Sequence, residues 1–266
     1  GDGRVLGAGW HARAGGPHAE VEALRQAGAL ARGKTAYITL EPCNHEGRTP
    51  PCTHALLEAG VSRVVIAGED PNPEVNGEGV QQLTEAGITV ERGLMCGEAE
   101  SLNPGFLMRM RTGRPWIRIK TAISLDGRTA LENGDSKWIS SDASRRDVQH
   151  WRARSSAILT GIGTVLADDP CLNARVDADV NQPVRVVADG HWRTPVDCRM
   201  LQIPGRVIIA GNEDKAIPRD LEESDAQCLP LPVRNGLPDL TALVARLAEM
   251  EVNEVQVEAG SRFCGA

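Results

Sequence analysis

Hydrophobic and polar positions along the chain follow two alternating patterns. Short runs dominated by Val, Ile and other apolar residues predict β-strands, and longer stretches with apolar residues three or four apart predict amphipathic helices. The predicted strands are residues 4–11, 35–40, 62–68, 88–93, 116–124, 157–165, 184–190, 206–211 and 254–260. The predicted helices are residues 18–33, 53–60, 142–154 and 239–250. Strands that alternate with helices predict the α/β class, with sheets flanked by helices.

The pattern weakens between Met95 and Pro115, where a polar stretch contains glycines and a proline. The length of 266 residues also exceeds the usual size of one domain. We therefore predict two domains, residues 1–111 and 112–266. Each is expected to lack a terminal part, because the hairpin signal Asp2-Gly3 has no strand before it and the chain stops at a glycine-containing turn that enters a helix.

The first domain carries a pattern typical of a zinc site. One residue separates His18 from Glu20, and Cys43 and Cys52 follow with eight residues between them. One imidazole and two thiolates leave the fourth position of a tetrahedral zinc ion for water, as in catalytic sites. Glu20 is not needed as a ligand, so its carboxylate can take a proton from that water and return it to a leaving group. Zinc deaminases that act on nucleobases have this arrangement.

The three ligand candidates all lie at predicted element ends, where sites are usually built. His18 begins a helical run, Cys43 follows a strand and Cys52 precedes a helix. Taken singly, each of these residues can be explained without a metal. A free cysteine, for example, is usually a small buried apolar residue. The alternative interpretation is a structural zinc site, in which His45 of the intervening loop is the fourth ligand.

Composition narrows the class of partner. Hydrophobic residues make up 41% of the chain, but no apolar run approaches the roughly 20 residues that span a bilayer, and the first residues are not expected to be a signal peptide. An odd total of seven cysteines, two of them assigned to metal, favours a reducing cytoplasm. The net charge of −7 argues against binding a nucleic-acid backbone. A small substrate is therefore expected, and any phosphate on it must meet locally placed arginines.

The second domain contains three glycine-bearing turns next to predicted strands. They are SLDGRTA at 124–130, GIGTVLADDP at 161–170 and EAGSRFCGA at 258–266. Glycines at a strand-to-helix turn present backbone N–H groups to phosphate, which suits a dinucleotide, although the full dinucleotide fingerprint is absent and each turn alone has a structural explanation. Arg152 and Arg175 are candidates for pairing with a substrate phosphate, whereas most arginines are solvated surface charges.

Five segments carry a family resemblance: PHAEVEAL, LEPCNHEGRTPPC, DPNP, SLDGRTA and GTVLADDPCLNAR. They resemble the bifunctional deaminase and reductase of riboflavin biosynthesis, and the resemblance covers nearly the whole chain. The eight residues between the cysteines fit this family, since cytidine and transfer-RNA adenosine deaminases have two. The resemblance implies a cytidine-deaminase-like three-layer α/β/α domain followed by a dihydrofolate-reductase-like α/β domain.

The resemblance also implies two reactions with zinc and NADPH as cofactors. The first is hydrolytic deamination of 2,5-diamino-6-(5-phosphoribosylamino)pyrimidin-4(3H)-one, which releases ammonia. The second is reduction of 5-amino-6-(5-phosphoribosylamino)uracil to the ribitylamino product. The implied partners are small phosphorylated pyrimidines in the cytoplasm, without nucleic acid or membrane, and a homo-oligomer is allowed.

Matching the family pattern residue by residue assigns roles in both domains. It makes His18, Cys43 and Cys52 zinc ligands and Glu20 the proton carrier. The positions matched to NADP contacts are Ala122, Trp138, Thr164, Asp168, Gly260, Ser261, Arg262, Phe263, Cys264, Gly265 and Ala266. The positions matched to substrate contacts are Ser136, Arg152, Leu172, Arg175 and Glu258.

The chain departs from the family pattern at two places. The family's N-terminal Asn-Pro motif, which helps to shape the pyrimidine pocket, is not present, and Gly190 stands where the family often places a serine against the cofactor. Two other functions therefore stay open at this point. One is a deaminase of another nucleobase whose second domain only binds a ligand, and the other is a non-enzymatic zinc-stabilised binding protein with four protein ligands.

Overall fold

The computed structural model describes residues 3–13, 15–47, 49–73, 75 and 77–266. It divides into two compact units, Gly1–Arg111 and Thr112–Ala266. Asp2, part of the predicted hairpin turn, lies outside the described residues.

The first unit contains a three-stranded parallel sheet. Its strands are β1 Thr35–Leu40, β2 Arg63–Gly68 and β3 Thr89–Arg92, in the order β1-β2-β3. Its helices are α1 Ala19–Ala27, continued by the 3-10 turn Gly28–Ala31, then α2 Cys52–Ala59, α3 Glu78–Glu85, α4 Cys96–Leu102 and α5 Pro104–Thr112. Parallel strands need crossover connections, which the helices between them supply.

The middle strand β2 forms the centre of the first core. Val64 and Ile66 are fully buried and pack with Leu56 of α2 and Leu83 of α3. Val65, which points to the opposite face of the sheet, is also buried. A parallel strand covered on both faces has a continuous apolar sequence, and this explains why the run could be predicted without polar alternation.

The strand predicted over residues 4–11 is wrong, because this segment has no regular secondary structure. Its backbone packs against α1 instead of pairing with a strand. A Cβ added to Gly7 would lie 2.1 Å from the carbonyl oxygen of Ala23. The Ala8 N–H donates to Oε1 of Gln26 at 3.1 Å. The missing Cβ at Gly7 therefore permits a contact with a helix that the apolar pattern could not distinguish from strand pairing.

Replacing Gly7 by Ala is expected to destabilise the first unit by roughly 1–3 kcal/mol, because the new methyl group overlaps the backbone of α1. Urea unfolding followed by circular dichroism measures the change. The matched control is Gly97→Ala in α4, where the added Cβ meets no heavy atom within 4 Å and alanine favours the helix. Equal stabilities of the two variants would contradict this packing.

The second unit contains a six-stranded parallel sheet. Its strands are β4 Trp116–Ile119, β5 Ala157–Gly161, β6 Val184–Ala188, β7 Val207–Asn212, β8 Gln227–Leu231 and β11 Glu254–Val257, in the order β4-β11-β5-β6-β7-β8. An antiparallel hairpin consists of β9 Val233–Arg234 and β10 Leu237–Pro238. Its helices are α6 Asp142–Arg154, α7 Ile162–Asp168, α8 Arg219–Glu222, α9 Leu240–Glu249 and α10 Ser261–Cys264.

Apolar residues cover both faces of this sheet. Val186 of β6 and Ile208 of β7 pack on the side of α9, with Leu243. The next residues along the same two strands, Val187 and Ile209, belong to a second cluster. Successive side chains of a strand point to opposite faces, so continuous apolar runs build two cores at once.

Several boundaries differ from the sequence prediction. The helix over 142–154 is confirmed, and Ser141 caps it by accepting the Ser144 N–H at 3.2 Å. The strand predicted over 157–165 ends at Gly161, after which the chain is helical, because a short apolar run has the same appearance in both conformations. Strand β8 was not predicted. It contains Pro230, a residue that is disfavoured in a sheet but tolerated in an edge strand.

The parallel arrangement places the carboxyl ends of all six strands at one edge of the sheet. Ligands of open α/β sheets bind beyond this edge. Lys120 follows β4, Gly190 follows β6 and Glu258 follows β11. Among the described residues, no helix is long and apolar enough to cross a membrane.

Candidate metal centre and cofactor cavity

Three elements of the first unit bring His18, Cys43 and Cys52 together. His18 is the residue before α1, Cys43 follows β1 by three residues, and Cys52 is the first residue of α2. Nδ1 of His18 lies 3.1 Å from Sγ of Cys52 and 3.5 Å from Sγ of Cys43. The backbone N–H of Cys52 donates to Sγ of Cys43 at 3.3 Å, which ties the two ends of the loop together.

This donor set fits a zinc ion. The three ligand atoms lie within 4.8 Å of one another, and tetrahedral Zn–N and Zn–S bonds place neighbouring ligand atoms about 3.6 Å apart. Among the described residues, these three form the group of His, Cys, Asp and Glu side chains that could hold a metal, and His45 is not a member. The geometry thus favours three protein ligands over the four-ligand alternative.

The Glu20 carboxyl group lies beside this donor set, in the first turn of α1. The Cys52 thiol donates to Oε2 of Glu20 at 3.5 Å. Burial raises the pKa of Glu20 above its ordinary value. The carboxyl group therefore lies next to the position of the metal without being one of its three grouped ligands.

The two thiols affect each other's ionisation. A side-chain contact with Cys52, the largest influence, lowers the pKa of Cys43 to about 5. The same contact, together with burial, raises the pKa of Cys52. The lowered pKa of Cys43 favours its thiolate, which is the form that binds metal.

Two loop residues near the site have an unpaired polar atom: Asn44, which the sequence prediction missed, and His45, which it considered only as a fourth zinc ligand. Oδ1 of Asn44 and Nδ1 of His45 are buried without a hydrogen-bond partner among the described residues. Buried polar atoms normally have partners, so these two orphaned atoms are suited to a bound ligand. No pattern in the sequence distinguishes Asn44 from other loop residues.

The second unit has a cavity of about 1370 Å³ at the carboxyl edge of its sheet. It is large enough for a dinucleotide and a substrate together. The predicted residues in its lining are Ala122, Ser136, Trp138, Arg152, Thr164, Asp168, Leu172, Glu258, Gly260, Ser261, Arg262, Phe263 and Ala266. Thirteen positions assigned by resemblance thus converge on one cavity.

The other three predicted residues are not part of the cavity lining. Cys264 packs against the core, and its thiol donates to the Ala259 carbonyl oxygen at 3.3 Å. Gly265 follows α10. Arg175 is exposed and donates to Oδ1 of Asn173 at 2.8 Å.

The polar centre of the cavity is an ion pair between Arg152 and Glu258. Nε and Nη2 of Arg152 each donate to one carboxylate oxygen of Glu258 at 2.7 Å, and both side chains are only 11% exposed. Gln256 donates to the same carboxylate at 2.7 Å. Burial, the largest influence, raises the pKa of Glu258, but the bonds and charge of Arg152 outweigh it and the pKa is lowered overall.

Basic residues in the lining were also missed at the sequence level. Lys120 lines the cavity and its charge contributes to the lowered pKa of Glu258. His191, Arg193 and Arg234 line it as well. The position of Lys120 directly after β4 is a signal that could have identified it.

Gly190 has a structural explanation for its departure from the family pattern. A Cβ added there would lie 2.9 Å from Cδ of Pro238 in the β9–β10 hairpin. A serine would therefore collide with the hairpin, and the glycine lets that hairpin pack at the cavity wall.

Acid is expected to destabilise the second unit through Glu258. Because its pKa is lowered in the folded state, the stabilisation is complete above the ordinary value of 4.5 and is lost as the pH falls through the lowered native value. Urea unfolding at several pH values below about 5 measures the slope. Arg152→Ala, which removes the cause of the lowered pKa, should flatten this acid dependence, and an unchanged slope would contradict the assignment.

The two units together define a class of protein. A zinc-type donor set beside a buried carboxyl group is joined in one chain to an open parallel sheet with a nucleotide-sized cavity. Residues 1–68 match the cytidine and deoxycytidylate deaminase zinc-binding region, and residues 115–266 match the RibD C-terminal domain.

Similar proteins extend across the whole chain. It is 49% identical over 278 residues to the riboflavin biosynthesis protein RibD of Escherichia coli, covering 100% of this chain and 75% of that protein. The structure of Acinetobacter baumannii RibD matches with a TM-score of 0.90 and 47% identity, over 98% of this chain and 72% of that one. A diaminohydroxyphosphoribosylaminopyrimidine deaminase/5-amino-6-(5-phosphoribosylamino)uracil reductase from Thermotoga maritima matches with a TM-score of 0.85 and 36% identity, over 98% and 73%.

The chain belongs to the RibD family of riboflavin biosynthesis proteins. It is a bifunctional enzyme that acts on small pyrimidines, with a zinc-binding deaminase domain and an NADPH-dependent reductase domain. The predicted α/β fold and the zinc and NADPH cofactors are thereby confirmed.

Proposed function

We propose that residues 1–111 deaminate 2,5-diamino-6-(5-phosphoribosylamino)pyrimidin-4(3H)-one and that residues 112–266 reduce 5-amino-6-(5-phosphoribosylamino)uracil with NADPH. The observation that carries the proposal is the convergence of His18, Cys43 and Cys52 with the carboxyl group of Glu20 beside them.

The deamination requires a proton carrier and a way to hold the pyrimidine. His18, Cys43 and Cys52 would hold zinc, which when bound supplies the Lewis acidity that activates a water molecule. Glu20 accepts a proton from that water and delivers it to the departing amino group. The orphaned oxygen of Asn44 is suited to accept from an amino group of the substrate.

The reductase cavity must place a sugar carbon against the nicotinamide. NADPH supplies the hydride when bound. Trp138, whose ring the Arg145 guanidinium covers at 4.4 Å, forms an apolar wall for the cofactor. Further cofactor contacts come from Thr164, Asp168 and the residues from Gly260 to Ala266. All of these residues except Cys264 and Gly265 line the cavity, which supports the assignment.

We assign the substrate contacts to further residues, most of which line the cavity. Arg152 holds Glu258 by two hydrogen bonds, so we assign Glu258 to hydroxyl and amino groups and Arg152 to orienting it as well as to substrate. The cations we assign to the phosphate are Lys120, which lines the cavity, and Arg175, which is exposed and outside the lining. Ser136 and Leu172, both in the lining, complete the contacts.

The same proposal covers partners and location. The net charge of −7 supports a small phosphorylated substrate rather than a nucleic acid or membrane surface. Seven cysteines, all free in the structure, support a cytoplasmic location, and a homo-oligomer stays open.

The test is to incubate the zinc-loaded full-length protein with the diaminopyrimidine substrate and to follow ammonia release and NADPH oxidation separately. We expect both signals. Glu20→Gln should remove ammonia release but leave NADPH oxidation with supplied uracil intermediate, and Glu258→Gln should do the reverse.

Other outcomes would select the alternatives. Ammonia release without NADPH oxidation, even with supplied intermediate, would leave a deaminase joined to a ligand-binding module. The absence of both signals, with zinc bound by four protein ligands, would indicate a non-enzymatic zinc protein.

A further inference from the structure

The two ring nitrogens of His18 have different neighbours. Nδ1 faces the sulfur atoms of Cys52 and Cys43 at 3.1 and 3.5 Å. Nε2 points away from the sulfurs and lies 3.3 Å from Oγ1 of Thr49. The imidazole therefore lies between the donor set on one side and a hydroxyl group on the other.

This arrangement selects one tautomer of the ring. A neutral imidazole carries its proton on one nitrogen and a lone pair on the other, and a metal binds the lone pair. Because Nδ1 faces the sulfurs, its lone pair must be free for the metal and Nε2 must carry the proton. The Oγ1 of Thr49 is placed to accept that N–H.

The chain holds Thr49 firmly at this position. Its carbonyl oxygen accepts the Gly47 N–H at 3.3 Å, and two prolines, Pro50 and Pro51, lead from it directly into α2. A residue before proline is restricted to extended conformations, which limits where the hydroxyl can point. The ring of His11 also packs edge-on against the His18 ring, with the ring centroids 5.0 Å apart, and constrains the plane of the His18 imidazole.

We propose that Thr49 is a positioning residue for the metal centre: its hydroxyl accepts the Nε2–H of His18 and so fixes the tautomer and ring orientation in which Nδ1 binds zinc. The inference rests on the proposed function in one respect, the assignment of His18 as a ligand. Outer hydrogen bonds of this kind typically change metal affinity 10–100-fold when removed.

The test compares Thr49→Val with Thr49→Ser. Valine keeps the shape and removes the acceptor, whereas serine keeps the hydroxyl. Zinc affinity is measured by competition with a chromogenic chelator, and we expect a loss of about 10–100-fold for valine and near-complete rescue by serine. The visible absorption of the Co²⁺-substituted protein should change in the valine variant and return in the serine variant.

The matched control is Thr53→Val. Thr53 lies next to Cys52, is fully buried, and its hydroxyl makes no hydrogen bond to the described residues. The same chemical change there should leave zinc affinity and the Co²⁺ spectrum unchanged. Thr49→Val with wild-type affinity, or an equal loss in Thr49→Ser, would overturn the inference.

A separate variant distinguishes this inference from the site itself. His18→Ala should lose zinc if the ligand assignment is right. Wild-type affinity in His18→Ala would overturn the metal site, whereas its loss combined with an unaffected Thr49→Val would overturn only the role of Thr49.

Discussion

Replacing Glu20 by Gln is expected to lower the deamination rate by about 10²- to 10⁴-fold while zinc stays bound. Glutamine keeps the size of the side chain but cannot accept and return a proton. Glu20 lies against Cys52 without belonging to the three-residue donor group, so its replacement should leave the metal in place. Ammonia release, measured alongside the zinc content of the purified protein, checks both halves of the prediction.

The control for this variant lies on the same helix. Glu22 lies about one helical turn after His18. It forms an ion pair with Arg25 at 2.7 Å on an exposed face of the helix. Glu22→Gln should keep both zinc and activity, since exposed pairs contribute little. Retained ammonia release in Glu20→Gln would remove Glu20 from the mechanism, and loss of zinc in that variant would make it a ligand.

The donor group could be predicted from the sequence because zinc chemistry restricts the residue types. Few residue types bind zinc, and the three candidates, His18, Cys43 and Cys52, lie in one stretch of the chain. Their spacing can therefore identify the site. Thr49 could not be predicted in the same way. Threonine occurs throughout the chain, and only the 3.3 Å contact with the His18 ring distinguishes this one from the others.

The fold shows the same division between local and distant information. Continuous apolar runs such as 206–211 predicted buried parallel strands, because a strand that is buried on both faces has a nearly continuous apolar sequence. The segment 4–11 has a similar trace, but Gly7 packs against a helix more than a dozen residues away. Likewise, Pro230 argues against a strand until the topology places β8 at an edge.

The reductase cavity required the structure for a different reason. Resemblance supplied Arg152 and Glu258 as separate substrate contacts, whereas the structure pairs them with each other across 106 positions of sequence. Lys120 joins them only because the carboxyl ends of parallel strands meet at one edge. Pairing between distant charged residues cannot be predicted from the charges alone.

Arg152→Ala is expected to destabilise the second unit by about 3–5 kcal/mol and to abolish NADPH oxidation. The variant leaves the Glu258 carboxylate without the two short bonds that compensate its burial, and an uncompensated buried charge is costly. Urea unfolding measures the change. Unfolding is followed by tryptophan fluorescence in a Trp10→Phe background. The fluorescence then reports on the second unit alone, since the other four tryptophans, at 116, 138, 151 and 192, all belong to that unit.

Two control variants distinguish the loss of the buried ion pair from a general effect of removing an arginine on stability. Arg246→Ala removes an exposed partner of Glu249 in α9, where both side chains are more than half exposed, and should cost at most about 1 kcal/mol. The double variant Arg152→Met with Glu258→Leu removes both charges and should recover most of the stability without recovering reduction. If Arg152→Ala is no less stable than Arg246→Ala, the Arg152–Glu258 pair does not stabilise the unit. If the double variant recovers nothing, the loss comes from packing rather than from a stranded charge.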